Sequence, residues 1–255
     1  MVFHSMEKYL PRIRNRTAWL ELLRLPNLLT VPGDILAGFL LVPRALATVG
    51  DWAQLLLAIP AGLMLYGAGL ILNDLFDYAE DLRIRPQRPL PSGRIYRESA
   101  AAVALVLLWI AAFLAAFFDA LPIAIPLILC IILYDTGLKR IPYLGPVLMG
   151  ACRAGNLLLG AAAAHEGLAT SPAPLAAAAG LGLYIAVVTH LARNETGPGA
   201  RFTPAHIARL LRLLIPLQAL MCVAAVHRFP ANLLGLALLP LLKVHRQLSV
   251  RYPPS

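Results

Sequence analysis

Charge is scarce in this chain. Of its 255 residues only 14% are Asp, Glu, Lys or Arg, against about 25% in a soluble domain. That shortage, with 59% hydrophobic residues and a mean hydropathy of +0.72, excludes a water-soluble globular protein and a disordered one. Cysteine is scarcer still. Cys130, Cys152 and Cys222 all lie in apolar runs, without CxxC spacing, which argues against a disulfide framework or a zinc site. They read as small buried hydrophobes. Acidic residues number 13 against 22 basic ones. The excess of +9 does not point to nucleic acid, because the basic residues are spread among loops between apolar runs. No short apolar stretch with a cleavage site follows Met1, so no signal peptide is expected.

What remains is apolar runs. A hydrocarbon core asks for about 20 apolar residues per helix. Eight candidate spans result, at about Leu28–Val42, Trp52–Asn73, Ala100–Phe118, Leu121–Gly137, Gly145–Ala164, Pro174–Ala192, Ile207–Val226 and Ala231–Lys243. The fold class is therefore all-α, a polytopic membrane bundle. Residues 1–26 form a basic N-terminal segment and 27–250 one transmembrane domain. With the N-terminus inside, nineteen Lys and Arg fall in inside segments and only Arg44 and Arg228 outside. This positive-inside bias puts both termini in the cytoplasm. The expected location is a bacterial inner membrane.

Four of the thirteen acids sit in one stretch, Asn73-Asp74-Leu-Phe-Asp77-Tyr-Ala-Glu80-Asp81, at the end of the second apolar run. At about 100° per residue, Asn73, Asp74, Asp77 and Asp81 share roughly a 100° arc of one helix face. Acids are disfavoured at a helix C-terminus, so a solvated cap is a poor reading and a seat for a hard cation such as Mg2+ a better one. The loop that follows is basic and proline-rich. Arg85 and Arg88 in it suit phosphate oxygens bridged to that cation, whereas Arg94 and Arg97 read as topogenic. Tyr134-Asp135 precedes Lys139-Arg140 in the next inside loop. Arg153 and Asn156 share a face inside the fifth span, where a charge is expensive and usually faces a polar cavity. The sixth span ends in His190, Arg193 and Glu195. His190 could accept a proton, and a structural role is equally open.

These strings resemble the UbiA superfamily of intramembrane prenyltransferases. Asn73-Asp74-x-x-Asp77-x-x-x-Asp81 matches its first aspartate-rich motif, and Arg85-Pro-x-Arg88-Pro-Leu-Pro-Ser92-Gly93-x-Ile95 the segment after it. Tyr134-Asp135-x-x-Leu138-Lys139-Arg140, Gly150-x-x-Arg153-x-x-Asn156-x-x-x-Gly160 and Arg24-Leu-Pro26-Asn27 are similar to later and earlier signatures. Two departures stand out. The family's second aspartate-rich motif is replaced by Arg193-Asn194-Glu195, and eight spans are counted instead of the usual nine. The Arg193-x-Glu195-Thr196 ending is similar to the EboC-like branch.

The resemblance implies Mg2+-dependent transfer of a prenyl group from a prenyl diphosphate to an acceptor, aromatic or polar (cyclitol- or sugar-like), within the membrane lipid. It implies Asn73, Asp74, Asp77 and Asp81 at the metal, with Asp77, Lys139 and Glu195 catalytic. Arg85, Arg88, Lys139 and Arg153 would meet the diphosphate, and Asn27, Tyr134, Asn156 and His190 the acceptor. The alternative is a carrier or assembly partner that binds the isoprenoid diphosphate without turnover. A CDP-alcohol phosphotransferase is disfavoured, because no Asp-Gly-x-x-Ala-Arg string is present.

Overall fold

The computed structural model describes residues 16–43, 49–164, 171–193 and 202–251. These residues contain helices and no strand. That follows from the apolar composition, since a segment in lipid must satisfy its backbone amides and carbonyls within itself.

In chain order the α-helices are α1 (Arg16–Leu22), α2 (Leu25–Leu28), α3 (Val31–Leu41), α4 (Val49–Phe76), α5 (Tyr78–Ile84), α6 (Arg97–Ala116) and α7 (Leu121–Asp135). They continue with α8 (Leu144–Ala162), α9 (Ala173–Ala192), α10 (Pro204–Arg212), α11 (Leu214–Ala224) and α12 (Leu241–Arg251). A 3-10 stretch, Ala231–Leu238, precedes α12. Five segments are long and apolar enough to cross a membrane: α4, α6, α8, α9, and α10 with α11. Two shorter apolar helices, Leu25–Leu41 and Leu121–Asp135, complete the bundle. Each of the eight expected spans falls on helix. The eighth is the irregular one, with Pro240 between its 3-10 stretch and α12.

The breaks decide where polar groups collect. α4 ends at Phe76, and Asp77 caps the short α5. Backbone bonds Asp77 N–Asn73 O (3.0 Å) and Asp81 N–Asp77 O (2.8 Å) carry the helical path through the junction. Arg24 adopts a left-handed conformation (φ 43°) ahead of α2. Pro26 and Pro32 occupy first-turn positions in α2 and α3, where no amide donor is lost.

The core is small-residue packing. α3, α4, α8 and α11 surround the buried cluster that includes Ile35, Phe39, Leu65, Leu157 and Ile215. α3 lies so close to α8 that a side chain at Gly38 would strike the carbonyl of Leu157, and one at Gly160 the carbonyl of Ile35. Van der Waals contact between backbones is the main attraction available to helices in lipid. A second apolar cluster, with Leu22, Ile71, Leu90 and Ile95, holds the proline-rich loop onto α1 and α4.

Candidate active site

At one end of the bundle four carboxylates face four cations. Asp74, Asp77 and Asp81 come from the α4–α5 junction and Asp135 from the last residue of α7. Arg24 precedes α2, Arg85 and Arg88 follow α5, and Lys139 follows α7. Arg24 donates to Asp74 at 2.9 Å. Arg88 lies 2.7 Å from Asp81 and 3.8 Å from Asp74. Lys139 Nζ lies 2.8 Å from Asp77 and 3.8 Å from Asp135. Asn73 donates its amide to Asp135 at 3.1 Å. Arg85 stands 3.8 Å from Asp81 and is half-exposed. Asp74, Asp81, Arg88 and Asp135 are buried, so these are desolvated charges that depend on one another.

The basic loop is rigid for local reasons. Ser92 donates its hydroxyl to the Arg88 carbonyl at 2.6 Å, and Gly93 takes the left-handed turn (φ 69°). Arg94 pairs with Glu21 at 2.6 Å and braces the Gln87 carbonyl at 2.8 Å. Arg94 thus ties the loop to α1, while Arg85 and Arg88 are turned to the acids. Glu80 and Arg140 form an exposed pair at 3.5 Å.

Beside this cluster opens a cavity of about 280 Å³. Arg24, Asn27, Asn73, Tyr134 and Asp135 line it near the acids; Thr30, Tyr66, Arg153 and Asn156 line it further along. Apart from Thr189, its remaining wall is apolar, with Leu65, Leu70, Leu127, Ile131 and Ile185. Arg153 is nine residues into α8, about 13 Å from the helix start. Its guanidinium reaches Asp34 at 3.0 Å, the Thr30 hydroxyl at 3.1 Å and the Thr30 carbonyl at 3.2 Å. Asn156 donates to Asp34 at 3.2 Å, and Gln218 to Asp34 at 2.6 Å. Arg153 also lies over the Tyr66 ring, 5.5 Å from its centroid.

Most of the expected site residues therefore gather in two groups. Asn73, Asp74, Asp77, Asp81, Arg85, Arg88 and Lys139 stand at the charged end; Asn27, Tyr134, Arg153 and Asn156 line the cavity. His190 is exposed and stacked on Tyr143 (centroids 5.4 Å apart), and is not among the cavity-lining residues. Glu195 lies outside the described residues. Arg24 as a partner of Asp74, and Asp34 and Gln218 altogether, are not among the residues expected from the sequence. An acid inside an apolar run, such as Asp34, is itself a signal of buried polar function.

The donor set favours a cation that arrives with phosphate. Among the described residues no three His, Cys, Asp or Glu side chains converge into a cage. Mg2+ needs none, being held by about one or two carboxylates with phosphates and water filling the rest. Asp74, Asp77 and Asp81 supply such carboxylates. The basic partners now paired with them are groups that suit phosphate oxygens.

Fold and site together define an intramembrane helical bundle with an acid–base cluster at the mouth of a largely apolar cavity. A family model described as the UbiA prenyltransferase family matches residues 35–252. The chain belongs to that family. Among curated relatives, digeranylgeranylglyceryl phosphate synthase of Methanoregula boonei is 31% identical over 147 residues, 56% of this chain and 53% of the relative. The synthase of that name from Ignicoccus hospitalis is 30% identical over 151 residues, 58% and 48% of the two chains. The chain thus aligns with about half the length of these relatives. The fold is that of the UbiA homologue from Aeropyrum pernix, with a TM-score of 0.55, 15% identity, and 88% and 98% of the chains covered. It is also that of the Archaeoglobus fulgidus homologue solved with DMAPP and Mg2+, with a TM-score of 0.53, 17% identity, and 93% and 88% covered.

Proposed function

We propose that the protein is a prenyltransferase that moves a prenyl group from a prenyl diphosphate to a polar-headed acceptor within the membrane. One observation carries the reading: acids suited to Mg2+ and bases suited to phosphate interleave at the mouth of an apolar cavity. Asn73, Asp74, Asp77 and Asp81 would hold Mg2+, which when bound neutralises phosphate charge and draws electron density from the leaving oxygen. Arg85, Arg88 and Lys139 would meet the same oxygens and stabilise the charge that grows on them. Four acids against four cations leave the cluster neutral, so a diphosphate must bring counter-charge with it.

In the transfer, the allylic C–O bond breaks and its electron pair leaves on diphosphate. An acceptor lone pair then forms the new bond to the prenyl carbon, and the acceptor gives up its proton. The apolar wall of Leu65, Leu70, Leu127 and Ile131 would take the hydrocarbon and keep water from the reacting carbon. The naming of the relatives and the DMAPP–Mg2+ complex of the fulgidus homologue favour this donor class. The basic loops favour a cytoplasmic position for the charged end.

Purified protein with Mg2+, radiolabelled prenyl diphosphates and a lipid extract tests the proposal. The expected result is diphosphate release with a labelled lipid, lost in EDTA and in Asp77→Ala. Full activity of Asp77→Ala, or tight binding without release, overturns it.

A further inference from the structure

Asp34 is completely enclosed on α3. Donors from two other helices close around its carboxylate: Arg153 at 3.0 Å and Asn156 at 3.2 Å from α8, and Gln218 at 2.6 Å from α11. An enclosed carboxylate without a counter-charge is strongly disfavoured. Arg153 is the cation in contact with it, so the two charges cancel. Gln218 and Arg153 also share the Thr30 carbonyl, at 2.7 Å and 3.2 Å, which fixes the guanidinium plane.

The cavity wall at this depth therefore offers donors without net charge. Arg153 is itself 3% exposed, and its Nε is enclosed with no hydrogen-bond partner. Tyr66, Tyr134, Thr189 and Asn27 line the same cavity. Such a wall matches hydroxyl groups. A phosphate head placed there meets a guanidinium already neutralised by the Asp34 carboxylate.

We propose that this wall takes the head of a neutral, hydroxyl-bearing acceptor, and that Asp34 sets this specificity by masking Arg153 from anionic heads. The word acceptor rests on the transfer reading above; the masking does not. The inference separates this chain from its curated relatives, which are named for a glyceryl phosphate.

A substitution that keeps the shape of Asp34 but removes its charge tests the masking. Asp34→Asn leaves Arg153 buried and uncompensated, so an anion that reaches it raises the melting temperature. The full chain in detergent is titrated with glycerol 3-phosphate and with glycerol in EDTA, read by thermal shift. The expected outcome is no saturable phosphate response in the unsubstituted protein, a saturable one at least about tenfold tighter in Asp34→Asn, and its loss in Asp34→Asn/Arg153→Gln. A purely structural tie would produce no such gain. Equal phosphate binding before and after substitution overturns the proposal.

A second measurement needs no variant. Unsubstituted protein is incubated with Mg2+, radiolabelled prenyl diphosphates and total lipid extract, and the labelled product is passed over an anion exchanger. A product that flows through is expected; a retained one overturns the proposal. If no labelled lipid forms, the transfer reading falls, and the thermal-shift titration still decides whether Arg153 is masked.

Discussion

Lys139 Nζ lies 2.8 Å from a carboxylate oxygen of Asp77 and so joins the loop after α7 to the α4–α5 junction. Asp77 is only half-buried. Removing the lysine leaves Asp77 within reach of water and the buried Asp135, 3.8 Å away, still bonded to the Asn73 amide, so the fold should survive. The same ammonium is placed to meet a phosphate oxygen once an anion enters. Lys139→Met is expected to lower diphosphate release by about 10²- to 10³-fold, the loss typical of one aimed donor. The melting temperature should hardly move. Diphosphate release and thermal unfolding on one preparation check both halves.

Arg88 makes the opposite case. It is buried between Asp81 at 2.7 Å and Asp74 at 3.8 Å. Truncation to Ala takes the close partner from the desolvated Asp81 and leaves Asp74 with Arg24 alone, which should cost about 3–5 kcal/mol of stability. Arg85, half-exposed and 3.8 Å from Asp81, should cost no more than about 1 kcal/mol when truncated. Denaturation of the two variants in detergent should separate them clearly. Arg85→Ala should lose activity without losing the fold.

The charged end was legible in the sequence because its parts are local. Asn73 to Asp81 lie on one helical path, and Arg85 and Arg88 follow within seven residues. Helical periodicity and loop chemistry are enough to read such a cluster. The buried end was legible only in part. Arg153 and Asn156 announced themselves as polar groups in an apolar run, but their partner Asp34 is 119 residues away from Arg153, and Gln218 is 184 away from Asp34. Only packing of α3 against α8 and α11 brings them together. Arg24 likewise reaches Asp74 across 50 residues. Seven of the eight expected spans fall on apolar helices, because lipid demands helix wherever the chain is apolar, and the eighth is the 3-10 stretch broken from α12. The internal breaks at Asp77, Leu213 and Pro240 depend on tertiary fit and escaped a periodicity argument.

Gly38 and Gly160 hold α3 and α8 at backbone contact, each against a carbonyl of the other helix. The Asp34–Arg153 pair joins the same two helices. An added methyl must push them apart, stretching that pair along with the packing. Gly38→Ala and Gly160→Ala should each destabilise by at least about 1–3 kcal/mol, the usual cost of overpacking. Gly180, where an added side chain meets nothing within 4 Å, is the internal control. Gly180→Ala should be neutral or slightly stabilising, since Ala is the better helix former by about 1 kcal/mol. Thermal unfolding of the three variants checks the ranking.

Arg193, at the C-terminal end of α9, gives a final prediction. Its guanidinium donates to the carbonyl of Lys139 and, at 3.2 Å, to that of Ile141. Those carbonyls belong to the loop that aims Lys139 at Asp77. Gly145 lies directly beneath, and a side chain there would strike both the Lys139 carbonyl and Arg193. Arg193 is exposed and its bonds are to backbone, so its loss should not unfold the bundle. It should let the loop drift and move the ammonium away from the diphosphate. A displacement near 1 Å at a reacting centre costs about 10²-fold in rate. Arg193→Gln and Gly145→Ala should therefore both lower kcat/KM for the prenyl diphosphate, with melting temperature nearly unchanged for the first. Neither should add to Lys139→Met in a double variant, because the positioned group would already be gone. Additive losses would mean that Arg193 acts on the substrate directly and not through Lys139.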